Sequence, residues 1–241
     1  MLKIVSHAIL SVVYPQACEL CGREVESDED GTACSDCWDK TKIFTEDDAL
    51  CTKCGAFLFG AQPAGGSADC HRCSDHYYDR ARALGTYHHA MSVSVLRLKR
   101  VPKIPEKLQR LTASAFERLA TESDAIVIPV PLSARRWKER GFNQAAVIAK
   151  LIASRYELDL DDASLVRRVH TPMHRAGMDR KARASTVKNA FEITRPNLIA
   201  GRSVILVDDV LTSGETVSSC AKELKENGAA TVTVFTLARA A

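Results

Sequence analysis

VILVDDVLTSGET, from Val204 to Thr216, orders the rest of the chain around it. Four consecutive apolar residues, Val204 to Val207, read as a strand buried on both faces, and Asp208 and Asp209 stand where that strand should surface. Thr212, Ser213, Gly214 and Thr216 follow, ahead of a helical stretch that runs to about Asn227 with Gly228 as its stop. A tight strand-to-helix turn of hydroxyl residues and glycine aims backbone N–H groups and the positive end of a helix dipole at one point, which suits a phosphate. The two acids would repel that phosphate. They suit the hydroxyls of a sugar, or a divalent cation held through water, so the stretch as a whole points to a phosphorylated sugar. The plainer alternative is a strand-to-helix turn with capping hydroxyls and two solvated acids.

The order of apolar strand, Asp-Asp, two apolar residues and Thr-Ser-Gly-x-Thr resembles the PRPP-binding motif of the type I phosphoribosyltransferases, PRPP being 5-phosphoribosyl 1-pyrophosphate. The resemblance implies that Asp208 and Asp209 meet the ribose 2′- and 3′-hydroxyls and that the Thr/Ser/Gly loop holds the 5′-phosphate. The implied ligand-binding residues are Asp208, Asp209, Val210, Leu211, Thr212, Ser213, Gly214, Glu215 and Thr216, with Mg²⁺ entering together with PRPP.

At 241 residues the chain suits a small part joined to a medium one. With 46% hydrophobic and 26% charged residues, and no apolar run long enough to span a bilayer, it reads as a soluble, cytoplasmic protein with no membrane insertion. Residues 2–14, LKIVSHAILSVVY, read as a short amphipathic helix rather than a signal peptide, because Ser6, His7 and Ser11 interrupt the apolar run and no small-residue cleavage site follows. Charge is divided unevenly. From Cys18 to His76 there are 5 Lys+Arg against 13 Asp+Glu, a net of −8, whereas residues 77–241 carry 27 against 17, a net of +10. A polyanion should therefore meet the body and not the front.

Eight of the nine cysteines form four CxxC pairs: Cys18/Cys21, Cys34/Cys37, Cys51/Cys54 and Cys70/Cys73. Eight thiolates so spaced make two tetrahedral four-cysteine zinc sites, since each CxxC turn puts two sulfurs on one metal. A disulfide framework would need an oxidising compartment and a redox CxxC would need only one pair, so neither accounts for four. The segment has little apolar material beyond Trp38 and Phe44, so structural zinc would supply much of its folding energy. Sequential pairing and an interleaved cross-brace use the same spacings; the repeat of CELCG and CTKCG favours the sequential scheme. His71, His76, His88 and His89 read as bystanders, AQPAGGSAD at residues 61–69 as a loop, and Cys220 as a core cysteine.

Beyond residue 76 the texture changes. RARALGTYH suggests a strand, and VSVLRLKRVPKIPEKLQRL is a basic helical stretch broken by Pro102 and Pro105, whose Arg97, Lys99, Arg100, Lys103 and Lys107 could steer an anion. AIVIPVPL, Ala125 to Leu132, reads as a core strand running into a basic loop with Arg135, Arg136, Lys138 and Arg140, then a helix. Those cations crowd the carboxyl end of a parallel strand, where open α/β sheets bind ligands, and guanidinium groups match pyrophosphate in charge and shape. IPVPLSARRWKERGFNQA closely resembles the signature of the ComF family, phosphoribosyltransferase-like proteins with an N-terminal zinc ribbon that are linked in some bacteria to DNA uptake. The resemblance spans almost the whole chain, from YPQACELCG at Tyr14 to FTLARA at Phe235, within a last strand, TVTVFTLA.

Arg167 to Ile193 is long, basic and poor in apolar periodicity. It resembles the mobile lid of the type I family, which implies that Arg180 and Arg183, with Lys188, act over the pyrophosphate during catalysis alongside Asp208 and Asp209. The expected organisation is an N-terminal segment and double zinc ribbon over residues 1–76 and a doubly wound α/β phosphoribosyltransferase-like domain over 77–241. The expected function is binding of Mg-PRPP and transfer of its phosphoribosyl group to an acceptor base or nucleotide. The rival is a non-catalytic DNA-uptake factor that binds single-stranded DNA or a recombination protein.

Overall fold

The computed structural model describes residues 16–58, 70, 73–119, 124–168 and 190–240. The helix expected at 2–14, the loop at 61–69 and the lid residues Arg180, Arg183 and Lys188 lie outside the described residues.

Five parallel strands carry the body: β1 (Arg80–Thr86), β2 (Ile126–Pro129), β3 (Asp159–Leu160), β6 (Ser203–Leu211) and β7 (Thr231–Arg239), in the order β1-β7-β6-β2-β3. Parallel neighbours need crossover connections, and the helices that make them cover both faces. On one face lie α2 (His89–Leu98), α3 (Glu106–Glu117) and α5 (Gln144–Tyr156), packed on Ile205, Val207, Val127, Phe235 and Leu237. On the other lies α6 (Glu215–Glu226), packed on Val204, Leu206, Ile126, Ile128, Val232 and Val234. The period of two along β6 thus sends alternate apolar residues into two cores, and no helix among the described residues is long and apolar enough to cross a membrane.

β6 runs further than its apolar residues suggest. It continues through both acids because β7 stays beside it, pairing Asp208 with Thr236, Val210 with Ala238 and Leu211 with Arg239. The basic segment after β2, expected as a loop, is a two-turn helix, α4 (Ala134–Arg140). Ser133 caps it by accepting from the Arg136 N–H at 3.3 Å. Gly141, left-handed at φ 75°, ends it and donates to the Trp137 carbonyl. Pro102 and Pro105 separate α2 from α3, as expected of residues that cannot continue a helix. The long stretch after Arg167 is flanked by β4 (Leu165–Arg167) and β5 (Phe191–Ile193), an antiparallel pair. Phe191 and Ile193 are buried with Glu192 between them, an alternation that the basic character of the stretch obscured.

The two cysteine units are copies of one design. Cys18 N–H donates to the Arg23 carbonyl and Cys51 N–H to the Ala56 carbonyl, both at 2.7 Å. Gly22 donates to Cys18 and Gly55 to Cys51, both at 2.9 Å, and antiparallel bridges join Ala17 to Glu24 and Leu50 to Phe57. The first unit adds a one-turn helix, α1 (Ser35–Asp39), whose Trp38 is buried and donates from its indole to the Asp30 carbonyl at 3.0 Å. Both units merge with the body. Cys18, Cys34, Cys37 and Trp38 belong to the α2/α3/α5 core, and Cys51, Cys54, Cys73 and Tyr78 to the α6 core.

Candidate active site

The carboxyl end of β6 brings the acids and the hydroxyl-glycine turn together. Adjacent residues on a strand point to opposite faces, and the acids do so here. Asp209, 6% exposed, faces α2 and α5, where Gln144 donates to its Oδ2 at 3.2 Å and Lys99 Nζ stands 3.3 Å from the same oxygen. Asp208 is half-buried, within electrostatic range of Arg167 and Cys220. Its Oδ1 accepts the Asp209 backbone N–H at 2.9 Å, which curls the carboxylate back over the strand end toward its neighbour. Burial and the adjacent Asp209 charge push Asp208 up to about 8.

The turn itself has Thr212 and Ser213 exposed and Gly214 in the left-handed conformation at φ 83°, directly before α6. The backbone N–H groups of Thr212, Ser213 and Gly214 find no acceptor among the described residues, whereas Glu215 N–H reaches Ser213 Oγ at 3.4 Å. Unpaired donors at a helix start, two of them on exposed residues, make an anion cradle.

Of the cations named from sequence, the structure draws in some and turns others away. Arg140 donates to Gln144 Oε1 at 2.9 Å and so orients the amide that holds Asp209. Arg136 lies within electrostatic range of Arg167. Arg135 instead pairs with Glu139 at 2.7 Å along its own helix. The basic run of α2 and α3 is largely committed: Arg97 and Arg100 to Glu19, Lys107 to Asp30, and Lys99 to the site. Sequence reasoning gave no site role to Gln144 or Arg167, and named Lys99 only as one of five cations that could steer an anion. Gln144 sat inside GFNQA, a stretch noticed for its resemblance but not for what its amide could reach. Arg167 stacks its guanidinium 5.2 Å over the Phe191 ring, and burial lowers its pKa from the usual range. Cys220, fully buried, is a core residue as expected.

Both metal centres have the geometry that zinc needs. Four sulfurs bound at about 2.3 Å in a tetrahedron stand about 3.8 Å apart. Here Cys18–Cys37 and Cys21–Cys34 are 3.8 and 3.6 Å apart, and Cys51–Cys73 and Cys54–Cys70 are 3.6 and 3.4 Å apart. The groupings are sequential, Cys18/Cys21/Cys34/Cys37 and Cys51/Cys54/Cys70/Cys73, with no histidine in either among the described residues, outside which His71 lies. Backbone N–H groups of Cys54 and Cys70 point at Cys51 Sγ at 3.4 and 3.3 Å, and Arg239 reaches Cys54 Sγ at 3.5 Å, donors suited to thiolates on a metal.

A parallel sheet ending in an acid pair and an anion-cradling turn, with two four-cysteine centres packed against it, defines a phosphoribosyltransferase-fold protein fused to a double zinc ribbon. Residues 94–241 match the phosphoribosyl transferase domain family and residues 9–75 the double zinc ribbon domain family. Competence protein F of Haemophilus influenzae is 32% identical over 217 residues, covering 86% of this chain and 90% of that protein. DNA utilization protein YhgH of Salmonella typhimurium is 32% identical over 200 residues, 79% and 84% respectively, and Competence protein ComFC of Bacillus subtilis 29% over 165 residues, 66% and 63%. The chain belongs to the ComF family. A hypoxanthine phosphoribosyltransferase from Staphylococcus aureus overlays with a TM-score of 0.36 at 12% identity, over 61% of this chain and 64% of the other.

Proposed function

We propose that the chain is a cytoplasmic protein that binds Mg-PRPP at the carboxyl end of its sheet and transfers the phosphoribosyl group to an acceptor base or nucleotide, releasing pyrophosphate. The supporting observation is the convergence, at one strand end, of Asp208 and Asp209 with the uncommitted amides of Thr212, Ser213 and Gly214. In this reading residues 77–241 form the transferase domain, the loop from Thr212 to Thr216 takes the 5′-phosphate, and the acid pair takes the ribose hydroxyls. Lys99 lies beside Asp209, Arg167 within electrostatic range of Asp208 and Arg136 within range of Arg167, a set of cations that could meet the charge of a leaving pyrophosphate. Arg180 and Arg183 would complete that set from the segment between β4 and β5. Mg²⁺, when bound with PRPP, would neutralise pyrophosphate charge as the bond at C1 breaks. The chain's own part is to hold both ends of the ligand in place while the ring develops positive character.

The test is calorimetric titration of Mg-PRPP into the wild type and the Asp208→Asn/Asp209→Asn double variant, with pyrophosphate release assayed across a panel of bases. Binding that the double variant loses, with release stimulated by one base, is the expected outcome. Equal affinity in both proteins would mean that the ribose does not lie at the acids.

A second reading, single-stranded DNA binding, draws support from α4. None of its residues is buried, and Trp137, 53% exposed, stands among Arg136, Lys138 and Arg140, an aromatic platform flanked by cations. Binding of an oligonucleotide that weakens steeply with salt and falls with Trp137→Ala would uphold it. Flat salt dependence, with Trp137→Ala unaltered, would remove it.

A further inference from the structure

The second zinc centre is built into the wall of the anion cradle. Gly214 faces His76 so closely that a Cβ placed on it would lie 2.6 Å from the imidazole Cε1, 3.1 Å from Nδ1 and 3.3 Å from the Tyr78 hydroxyl. His76 is itself held. Its Nδ1 and the Tyr78 hydroxyl are 2.6 Å apart, and Tyr78 is 1% exposed, sealed in the α6 core. Its backbone N–H donates to the Cys73 carbonyl at 3.2 Å, one hydrogen bond from a metal ligand. Lys53, inside the Cys51/Cys54 knuckle, donates to the Ser74 and His76 carbonyls at 3.2 and 2.7 Å. The next residue reaches α6 directly, Tyr77 N–H donating to Ser218 Oγ at 3.1 Å.

A second connection reaches the other side of the loop. Arg239 sits in register with Leu211, the residue before Thr212, and donates to the Cys54 carbonyl at 2.8 Å as well as approaching Cys54 Sγ. Zinc held by four thiolates carries two net negative charges, which this guanidinium offsets. The contacts of the first zinc unit run elsewhere: Glu19 to Arg97 and Arg100, Asp30 to Lys107, and Thr41 to the start of α2 at Ala90.

We infer that His76 is a positioning residue for the phosphate loop, and that metal at Cys51/Cys54/Cys70/Cys73, by holding His76, is coupled to binding of a sugar 5-phosphate, whereas metal at the first centre is not. The inference rests on the reading of Thr212 to Thr216 as the phosphate loop. Without metal the knuckle loses the geometry that fixes Cys73 and Lys53, His76 is released, and Gly214 loses the surface that keeps the loop amides convergent. Coupling is reciprocal by linkage, so a ligand on the loop must also retain the second metal.

Ribose 5-phosphate and Mg-pyrophosphate read the two ends of the proposed ligand separately in the full chain. His76→Ala should keep both metals and its melting behaviour yet weaken ribose 5-phosphate by about tenfold or more, with pyrophosphate altered by less than about threefold. In the wild type, saturating ribose 5-phosphate should slow chelator-driven release of one of the two zinc ions and leave the other unaffected, and His76→Ala should abolish that protection. Lys53→Ala, which keeps the ring and every ligand, should act in the same direction where His76→Ala folds poorly. Equal losses at both ligand ends, or protection of both metals or of neither, would overturn the inference. Should the wild type bind neither PRPP nor ribose 5-phosphate, the functional reading fails, and amide exchange at Thr212 to Val217 decides the coupling instead. Faster exchange in His76→Ala upholds it, and unchanged exchange refutes it.

Discussion

At the level of single residues, Asp208 carries a conflict between stability and binding. Its folded pKa, about 8, lies above the ordinary 3.8, so the folded protein holds the proton more tightly than the unfolded chain. The stability this contributes is fully present below pH 3.8 and is lost as the pH rises toward 8, where a second negative charge must form beside Asp209. Asp208→Asn cannot ionise, yet its Oδ1 can still accept the Asp209 N–H. It should stabilise the unliganded protein by an amount that grows between pH 4 and 8 to about 2 kcal/mol. Urea melts at pH 5 and pH 8 measure this, and a variant no more stable than wild type at pH 8 would show that the two charges do not oppose each other. The acids and the turn after them were legible because strand, acids and turn are contiguous in sequence. Lys99 and Gln144 were not, because what aims each at Asp209 is packing across 110 and 65 positions of chain, and local pattern says nothing of that.

Among the elements, the junction of α4 and α5 shows what the segment RGFNQA is for. Gly141 ends one helix, Asn143 starts the next, and Gln144 reaches the acid, so three consecutive tasks bring a cation-bearing helix to the site. Asn143 is buried; its Oδ1 accepts from the Ala145 N–H at 3.0 Å and its Nδ2 donates to the Val130 carbonyl at 3.0 Å, tying α5 to the end of β2. Asn143→Ala removes the cap and strands that buried carbonyl, an expected cost of about 2–3 kcal/mol in urea unfolding. A loss no larger than a cap alone would show that water serves Val130 instead. The helix and strand types were readable along most of the body from apolar period and from Gly and Pro. The extent of β6, the helical state of α4 and the pairing of β4 with β5 were not, because each depends on a neighbour supplied from elsewhere in the chain.

Over the whole molecule, the acidic front and basic body foreseen from composition meet each other. Glu19, Glu29 and Asp30 pair with Arg97, Arg100, Lys107 and Arg110, so part of the positive charge that seemed free for a polyanion is neutralised within the chain. Exposed pairs of this kind contribute little each, about 0–1 kcal/mol, and they orient the ribbons more than they secure them. What secures the ribbons is burial: each cysteine unit shares a core with a different face of the sheet. The four-pair cysteine pattern made the zinc sites legible, but nothing in the spacing foretold that the ribbons would close the two faces of the other domain. Zinc removal should therefore destabilise the body as well as the ribbons. Structural zinc is worth on the order of 10 kcal/mol per site in isolated ribbons, and even half of that would lower the melting temperature of a chain this size by at least about 10 °C. Trp38 reports on the first ribbon and far-ultraviolet circular dichroism mainly on the body; in Trp137→Phe, which leaves Trp38 the sole tryptophan, the two signals should melt together in the metal-loaded protein and shift together under a strong chelator. A body that melts at an unchanged temperature after both metals have left would show that the shared cores are contacts between two independently stable units.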